Sequence, residues 1–385
     1  MKRVMTLILA LLMIFTMFAC SAPAQEEQAA PAQSGTETAQ TQPGADAAGE
    51  QAQPGGETLR FPDDKAYKIG FATREIVNDL NRDVIAGAQE VIEAAGGEMT
   101  VVNAGADVTK HNENIENLIN SGVDGIIVEL GDAQQLEPLV AKANAAGIPV
   151  VTTCVMAYVP GSVTDISADE VLTSTLASRM LLSAMDYEGD LYVFWVPGAP
   201  LLEQRKRALE ALLVDFPQVH MIEVPTEHDP ATVQSQMEDI LTANPDAGSV
   251  GGVWCAYDQL GTGAYQAIMA AGRNEIKLAS CDGDRISYSM LFAENSPYVA
   301  IGAENVKELG IMAGQSMLLA IHGRADEVPK AQYTTSYGVT RWNGIAAAET
   351  RFGESVWDDL GLDKNEIAKQ FPQTQDVYVV KPLIP

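Results

Sequence analysis

The stretch Asp124-Gly125-Ile126-Ile127-Val128-Glu129-Leu130, taken with Ala146-Gly147-Ile148-Pro149-Val150-Val151-Thr152-Thr153, decides how the chain folds. Residues 125–130 read as a continuous apolar strand, the pattern of a strand covered by helices on both faces. Between the two stretches, 133–146 has helical spacing and is ended by Gly147, and 148–153 reads as the next strand. Strand, helix and strand in that order predict a parallel pair joined by a right-handed crossover. The rhythm extends backwards through a strand over 68–72, a helix over 78–95 ended by Gly96-Gly97, and a strand over 99–103. A helix over 109–120 then places Ile115, Leu118 and Ile119 on one face. Forwards, helices over 169–187, 202–216, 230–243, 260–271 and 285–294 alternate with strands over 190–196, 219–224, 251–256, 276–281 and 298–303. The predicted fold class is α/β, with two doubly wound parallel-sheet lobes close together and a cleft between them. A helix over 306–321 and a short strand over 332–339 follow, and 341–385 shows no clear period.

The chain has 385 residues, of which 46% are hydrophobic, as in globular proteins with large cores. Its 24 Lys and Arg against 52 Asp and Glu give a net charge of −28, which repels phosphate backbones and anionic membranes. Nucleic acid is therefore not an expected partner. Aromatic residues make up only 6%, so few are available to stack on a ligand.

Lys2 and Arg3 precede an apolar run over 4–19 that ends at Cys20. The run is short for a membrane span, which needs about 20 residues, but suits a secretory signal. A Cys after that run, with small Ala19 before it, resembles the lipobox of bacterial lipoproteins, although Met17 and Phe18 depart from the usual pattern. The resemblance implies a signal over 1–20, lipidation of Cys20 and a protein tethered outside the cytoplasmic membrane. An ordinary signal peptide with an incidental Cys is the alternative. Residues 21–58 are low in complexity and lack Lys, Arg and aromatics, so they cannot bury enough apolar surface to offset ordering and read as a flexible stalk. Cys154, Cys255 and Cys281 remain, an odd number that excludes a full disulfide framework. Cys255 and Cys281 could pair if their strands are neighbours; otherwise all three act as small buried hydrophobes.

Ligands of parallel α/β sheets bind outside the carboxyl ends of the strands. The segments there are rich in polar groups, as a polyhydroxylated ligand requires. Four stretches also carry a family resemblance: 114–127, 146–151, Ala243-Asn244-Pro245-Asp246 with the later Tyr257-Asp258, and Cys281-Asp282-Gly283. In that order and spacing, over about 65–342, the chain resembles the type I periplasmic-binding proteins that bind sugars for ABC transporters, the ribose- and galactose-binding group. The resemblance implies a three-crossing hinge near Ser167, near 302–305 and near Tyr333. It implies a linker over 21–62, an N-terminal lobe of 63–167 and 305–332, a C-terminal lobe of 168–304 and 333–345, and an extension over 346–385. It implies a monomer that passes a small sugar-like ligand to an ABC permease in the membrane.

Carried over position by position, the resemblance makes Asn78, Arg205 and Asp282 ligand residues. Asn81, Cys154, His228, Tyr257 and Glu304 occupy other ligand positions but depart from the family's pattern. Leu80 and Asn81 stand where aromatics sandwich the sugar, Cys154-Val155 replaces an Asp-Arg pair, Tyr257 replaces Asn, and Glu304 replaces an amide. A carboxylate and a guanidinium facing a cleft suit charge-assisted hydrogen bonds to hydroxyls. The plainer readings are helix capping for Asn78 and Asp282, solvated surface for Arg205 beside Lys206 and Arg207, and a cap of the helix starting at Leu260 for Asp258. The four histidines lack ligand spacing, so no metal is expected. Gly261-Thr262-Gly263 lacks the third glycine of a dinucleotide loop, so no cofactor is expected either. No acid–base pair points to an enzyme. A sensory protein that presents its ligand to a chemoreceptor or histidine kinase is the alternative to transport.

Overall fold

The computed structural model describes residues 59–374, which belong to one compact unit. The signal over 1–20, Cys20, the stalk over 21–58 and residues 375–385 lie outside the described residues. One sheet contains β1 (Lys68–Thr73), β2 (Glu98–Asn103), β3 (Gly125–Glu129), β4 (Val150–Thr153), β5 (Asp165–Ala168) and β11 (Ala331–Thr334). Its order is β11-β5-β4-β3-β1-β2, parallel throughout. The other contains β6 (Gly189–Trp195), β7 (Val219–Pro225), β8 (Gly252–Cys255), β9 (Lys277–Asp282), β10 (Tyr298–Glu304) and β12 (Ser336–Val339). Its order is β12-β10-β9-β8-β6-β7, and only edge strand β12 runs antiparallel.

Helices α1 (Asp79–Ala94), α2 (Val108–Ser121) and α3 (Ala133–Ala145) connect the first sheet. Helices α4 (Glu170–Ala184), α5 (Pro200–Leu213), α6 (Pro230–Ala243), α7 (Asp258–Ala270) and α8 (Arg285–Phe292) serve the second. The chain changes lobe after β5, between β10 and α9 (Val306–Ile321), and at Thr335 between β11 and β12. Helix α9 belongs to the first core, where Val306, Leu309, Ala313 and Met317 pack with Phe71, Val84 and Ile127. Gly310 permits this, since a Cβ there would run into the backbone of α1 at Val84.

Three expectations need correction. The strand expected over 332–339 is two strands, because the chain passes from one sheet to the other at Thr335. Strand β5 is absent from the expected elements, being four residues long with Asp165 and Ser167 in it; the Asp165 carboxylate accepts from Thr152 Oγ1 and from Ser167 Oγ, each at 2.8 Å. The aperiodic tail folds as α10 (Gly344–Phe352), α11 (Val356–Leu360) and α12 (Lys364–Gln370), which bury Ile345, Ala348, Val356, Trp357 and Ile367 in the second core. Such short helices show too few turns for a period to emerge. Cys154, Cys255 and Cys281 are buried and free.

Candidate functional site

On the second lobe the site is built around Arg205. Pro200 opens α5 at a position that needs no backbone donor, and Leu202, Arg205, Leu209 and Leu212 then fall on its buried face. The guanidinium is fully buried. Its Nε donates to Glu170, Nη1 to Asp282 Oδ1 at 2.6 Å and to Ala256 O at 2.9 Å, and Nη2 to Glu304 Oε1 at 2.7 Å. Ser174 Oγ donates to Arg205 O at 2.7 Å and fixes α5 against α4. Burial opposes the charge on Arg205, but Glu170, Asp282 and Glu304 outweigh it and hold its pKa above the ordinary value. Burial pushes Glu170 and Glu304 upward, and Arg205 offsets that only in part.

Asp282 ends β9 with φ of 109°, a strained conformation for a residue other than glycine. It is held from behind by Arg351 of α10, whose Nη1 donates to the carbonyls of Asp282 and Gly283 at 2.5 Å each. Asp258 starts α7 without capping it; the N-cap is Tyr257. The Asp258 carboxylate instead accepts from Ser280 Oγ and, at 2.6 Å, from Asp284 N. Burial, with the Asp282 charge behind it, pushes Asp258 up to about 7.

On the first lobe the site lies at the strand-order reversal. Strand β1 has β2 on one side and β3 on the other, so the connections leaving β1 and β3 diverge and open a crevice. Thr73 and Glu129 end those neighbouring strands in register, and Thr153 ends β4 opposite Glu129. Asn78 caps α1 by accepting from Asn81 N at 3.3 Å. Asn81 Nδ2 donates to Glu129 Oε1 at 3.3 Å. Glu129 is fully buried, and neither its Oε2 nor Thr153 Oγ1 has a hydrogen-bond partner. Burial raises Glu129 to about 8, opposed by the polar side chains of Thr73 and Asn81. Cys154 follows with φ of 56°; burial raises its thiol, and the charges of Glu129, Glu304, Asp165 and Glu170 add to the effect. Its thiol therefore lies within the field of acids from both lobes.

The lobes touch directly. Asp79 of α1 accepts from Arg285 N at 3.1 Å and pairs with its Nη1 at 3.1 Å, and Arg351 Nη2 lies 3.8 Å from Asp83. His228 Nδ1 meets Tyr257 OH at 3.0 Å, and burial lowers the His228 pKa and so favours the neutral ring.

Of the eight residues expected from the sequence, Arg205, Asp282 and Glu304 share one network, His228 and Tyr257 share a hydrogen bond, and Asn78 and Asn81 share the α1 cap. Cys154 is the eighth, on the first lobe beside Glu129's end of the sheet. Sequence reading missed Glu129, hidden in an apolar run, and Glu170, the first residue of α4. It also missed Arg351, in the tail without a period. Among the described residues, the buried carboxyls around the cleft are Glu129, Asp165, Glu170, Asp258, Asp282, Asp284 and Glu304. The buried guanidiniums there are two, Arg205 and Arg351. Two cavities open beside this cluster. One of about 350 Å³ is lined by Tyr158, Asp165, Glu170, Gln204 and Tyr333 among others, and one of about 400 Å³ by Asp132, Met156, Gln204 and Arg207 among others. None of the eight residues lines either cavity. A solute site is marked by convergent polar groups as well as by open volume, and the buried polar groups converge at the cluster beside these cavities.

The family model of the periplasmic binding protein domain matches residues 69–325. The ribose import binding protein of Bacillus subtilis is 23% identical over 267 residues, which are 68% of this chain and 83% of that protein. Among solved structures, an ABC sugar transporter subunit from Rhodobacter sphaeroides is 26% identical with a TM-score of 0.66, covering 71% of this chain and 98% of that one. An ABC transporter solute binding protein from Agrobacterium vitis with bound allitol is also 26% identical, with a TM-score of 0.66, covering 80% of this chain and 99% of that one.

Proposed function

This chain belongs to the periplasmic binding protein domain family, and from that membership we propose that it is an extracytoplasmic solute-binding protein of an ABC importer. Its solute is a small sugar or polyol held between the lobes. The observation that carries this reading is the convergence of buried hydrogen-bonding groups at the strand ends of both sheets: Asn81 and Glu129 on one side, Tyr257, Asp282 and Glu304 on the other. The ribose and allitol in the names of its relatives support the solute class. Solute that touches both lobes favours their closed arrangement, and the closed arrangement is what a permease can distinguish from the empty protein. Cys20 is the proposed lipid anchor, and the protein acts as a monomer; no observation favours the sensory alternative.

A thermal-shift screen against pentoses, hexoses, polyols and furanoses tests the reading. A true solute raises the melting temperature, since binding the native state at 100 times its Kd stabilises by about 2.7 kcal/mol. If no member of these classes shifts the transition, the reading is wrong.

A further inference from the structure

The buried acids around the cleft outnumber the buried guanidiniums, and the excess is not evenly spread. Arg205 is fully engaged by Glu170, Asp282 and Glu304, and Arg351 is tied to the Asp282–Asp284 loop, its Nη2 lying 3.3 Å from Asp284 Oδ1. Among the described residues no cation pairs with Glu129. It is buried at the strand-order reversal, its Oε1 takes one hydrogen bond from Asn81, and its Oε2 and the adjacent Thr153 Oγ1 have none. We propose that the solute carries a protonated amine beside its hydroxyls, as an amino sugar or amino polyol does, and that Glu129 receives the amine.

The inference rests on the reading that the cleft holds a polyhydroxylated solute. A buried carboxylate is costly without a countercharge. An ammonium has three donors and no acceptor, which matches two unpartnered oxygens on residues paired across neighbouring strand ends. A hydroxyl could satisfy one of those oxygens but would leave the carboxyl protonated, whereas an ammonium pairs with its ionised form. Among the described residues no three His, Cys, Asp or Glu are grouped as metal ligands, so an organic cation fits better than a metal ion. Glu75, in the connection leaving β1, adds its negative charge at Glu129, while Arg74 beside it acts on His111 and His228. Burial keeps Glu129 protonated near neutral pH when nothing cationic faces it, and an ammonium would displace that proton.

The test is calorimetry on the purified full chain at pH 7.5 with paired probes: glucosamine and glucose, galactosamine and galactose, glucamine and sorbitol, amino-inositol and inositol. The expected result is at least one amine that binds tenfold or more tightly than its hydroxyl partner. Glu129→Gln should abolish that preference. Equal or tighter binding of the hydroxyl member in every pair that binds overturns the proposal, whether or not the variant folds. Amine preference that survives in a folded Glu129→Gln protein overturns the role of Glu129. If neutral sugars outside these pairs bind and no amine does, only the amine inference fails; if no sugar or polyol of any kind binds, the solute reading fails with it.

Discussion

The two faces of the cleft solve the burial of charge in opposite ways. On the second lobe the buried carboxyls are tied to donors: one guanidinium holds three carboxylates, and a second, from the tail, holds the loop that presents Asp282. On the first lobe Glu129 and Asp165 are buried with no cation paired to them among the described residues, and Glu129 has one hydrogen bond and an unpartnered oxygen. A saturated network is rigid and expensive to disturb, whereas an unsaturated acceptor is poised to change partners. The contrast assigns shape and stiffness to the second lobe and discrimination among solutes to the first.

Breaking the saturated side should have the largest effect. Arg205→Met leaves Glu170, Asp282 and Glu304 buried without their cation and should cost about 3–5 kcal/mol of stability in urea unfolding. A loss below about 1 kcal/mol would mean the network is not the hub described. Arg351→Met removes charge-assisted bonds to the Asp282–Asp284 loop and should cost about 2 kcal/mol, with weaker solute binding measured by calorimetry.

The unsaturated side should appear in pH dependence. Glu129 is raised in the folded state to about 8 from an ordinary 4.5, so the native protein binds its proton more tightly than the unfolded chain does. Its stabilising contribution is complete below pH 4.5 and is lost as pH rises through 8. Between about pH 6 and 8 the wild type should lose about 2 kcal/mol more than Glu129→Gln does, read from denaturation at both pH values. Parallel profiles would show that Glu129 ionises as an exposed acid does. The smallest effect belongs to the contact between the faces. Asp79→Asn weakens a partly exposed pair with Arg285, worth about 0.5–1 kcal/mol, and should loosen solute binding a few-fold without changing the stability of either lobe.

Much of this architecture is legible in the sequence, because helices over 78–95 and 306–321 and strands such as 125–130 are long or apolar enough to set a period. The lobe change at Thr335 is not, since two four-residue strands in different sheets read as one eight-residue strand. The site divides in the same way. Asp282 and Arg205 stand at strand and helix ends where chemistry is sought, but their mutual pairing is a long-range fact that no local pattern carries. Glu129 is masked in the sequence by the four apolar neighbours that precede it, although a carboxyl at the end of a strand covered on both faces is an anomaly in itself. Arg351 lies in a nine-residue helix of the tail, and only tertiary packing brings it to the Asp282 loop.

The most direct measurement is a crystal structure of the protein with the solute that raises its melting temperature most. The solute should lie between the strand ends, hydrogen-bonded to Asn81 or Glu129 on one lobe and to Asp282, Tyr257 or Glu304 on the other. A solute bound to one lobe alone, or seated in the cavity beside Tyr158 and Gln204 without reaching those residues, would contradict the two-sided site.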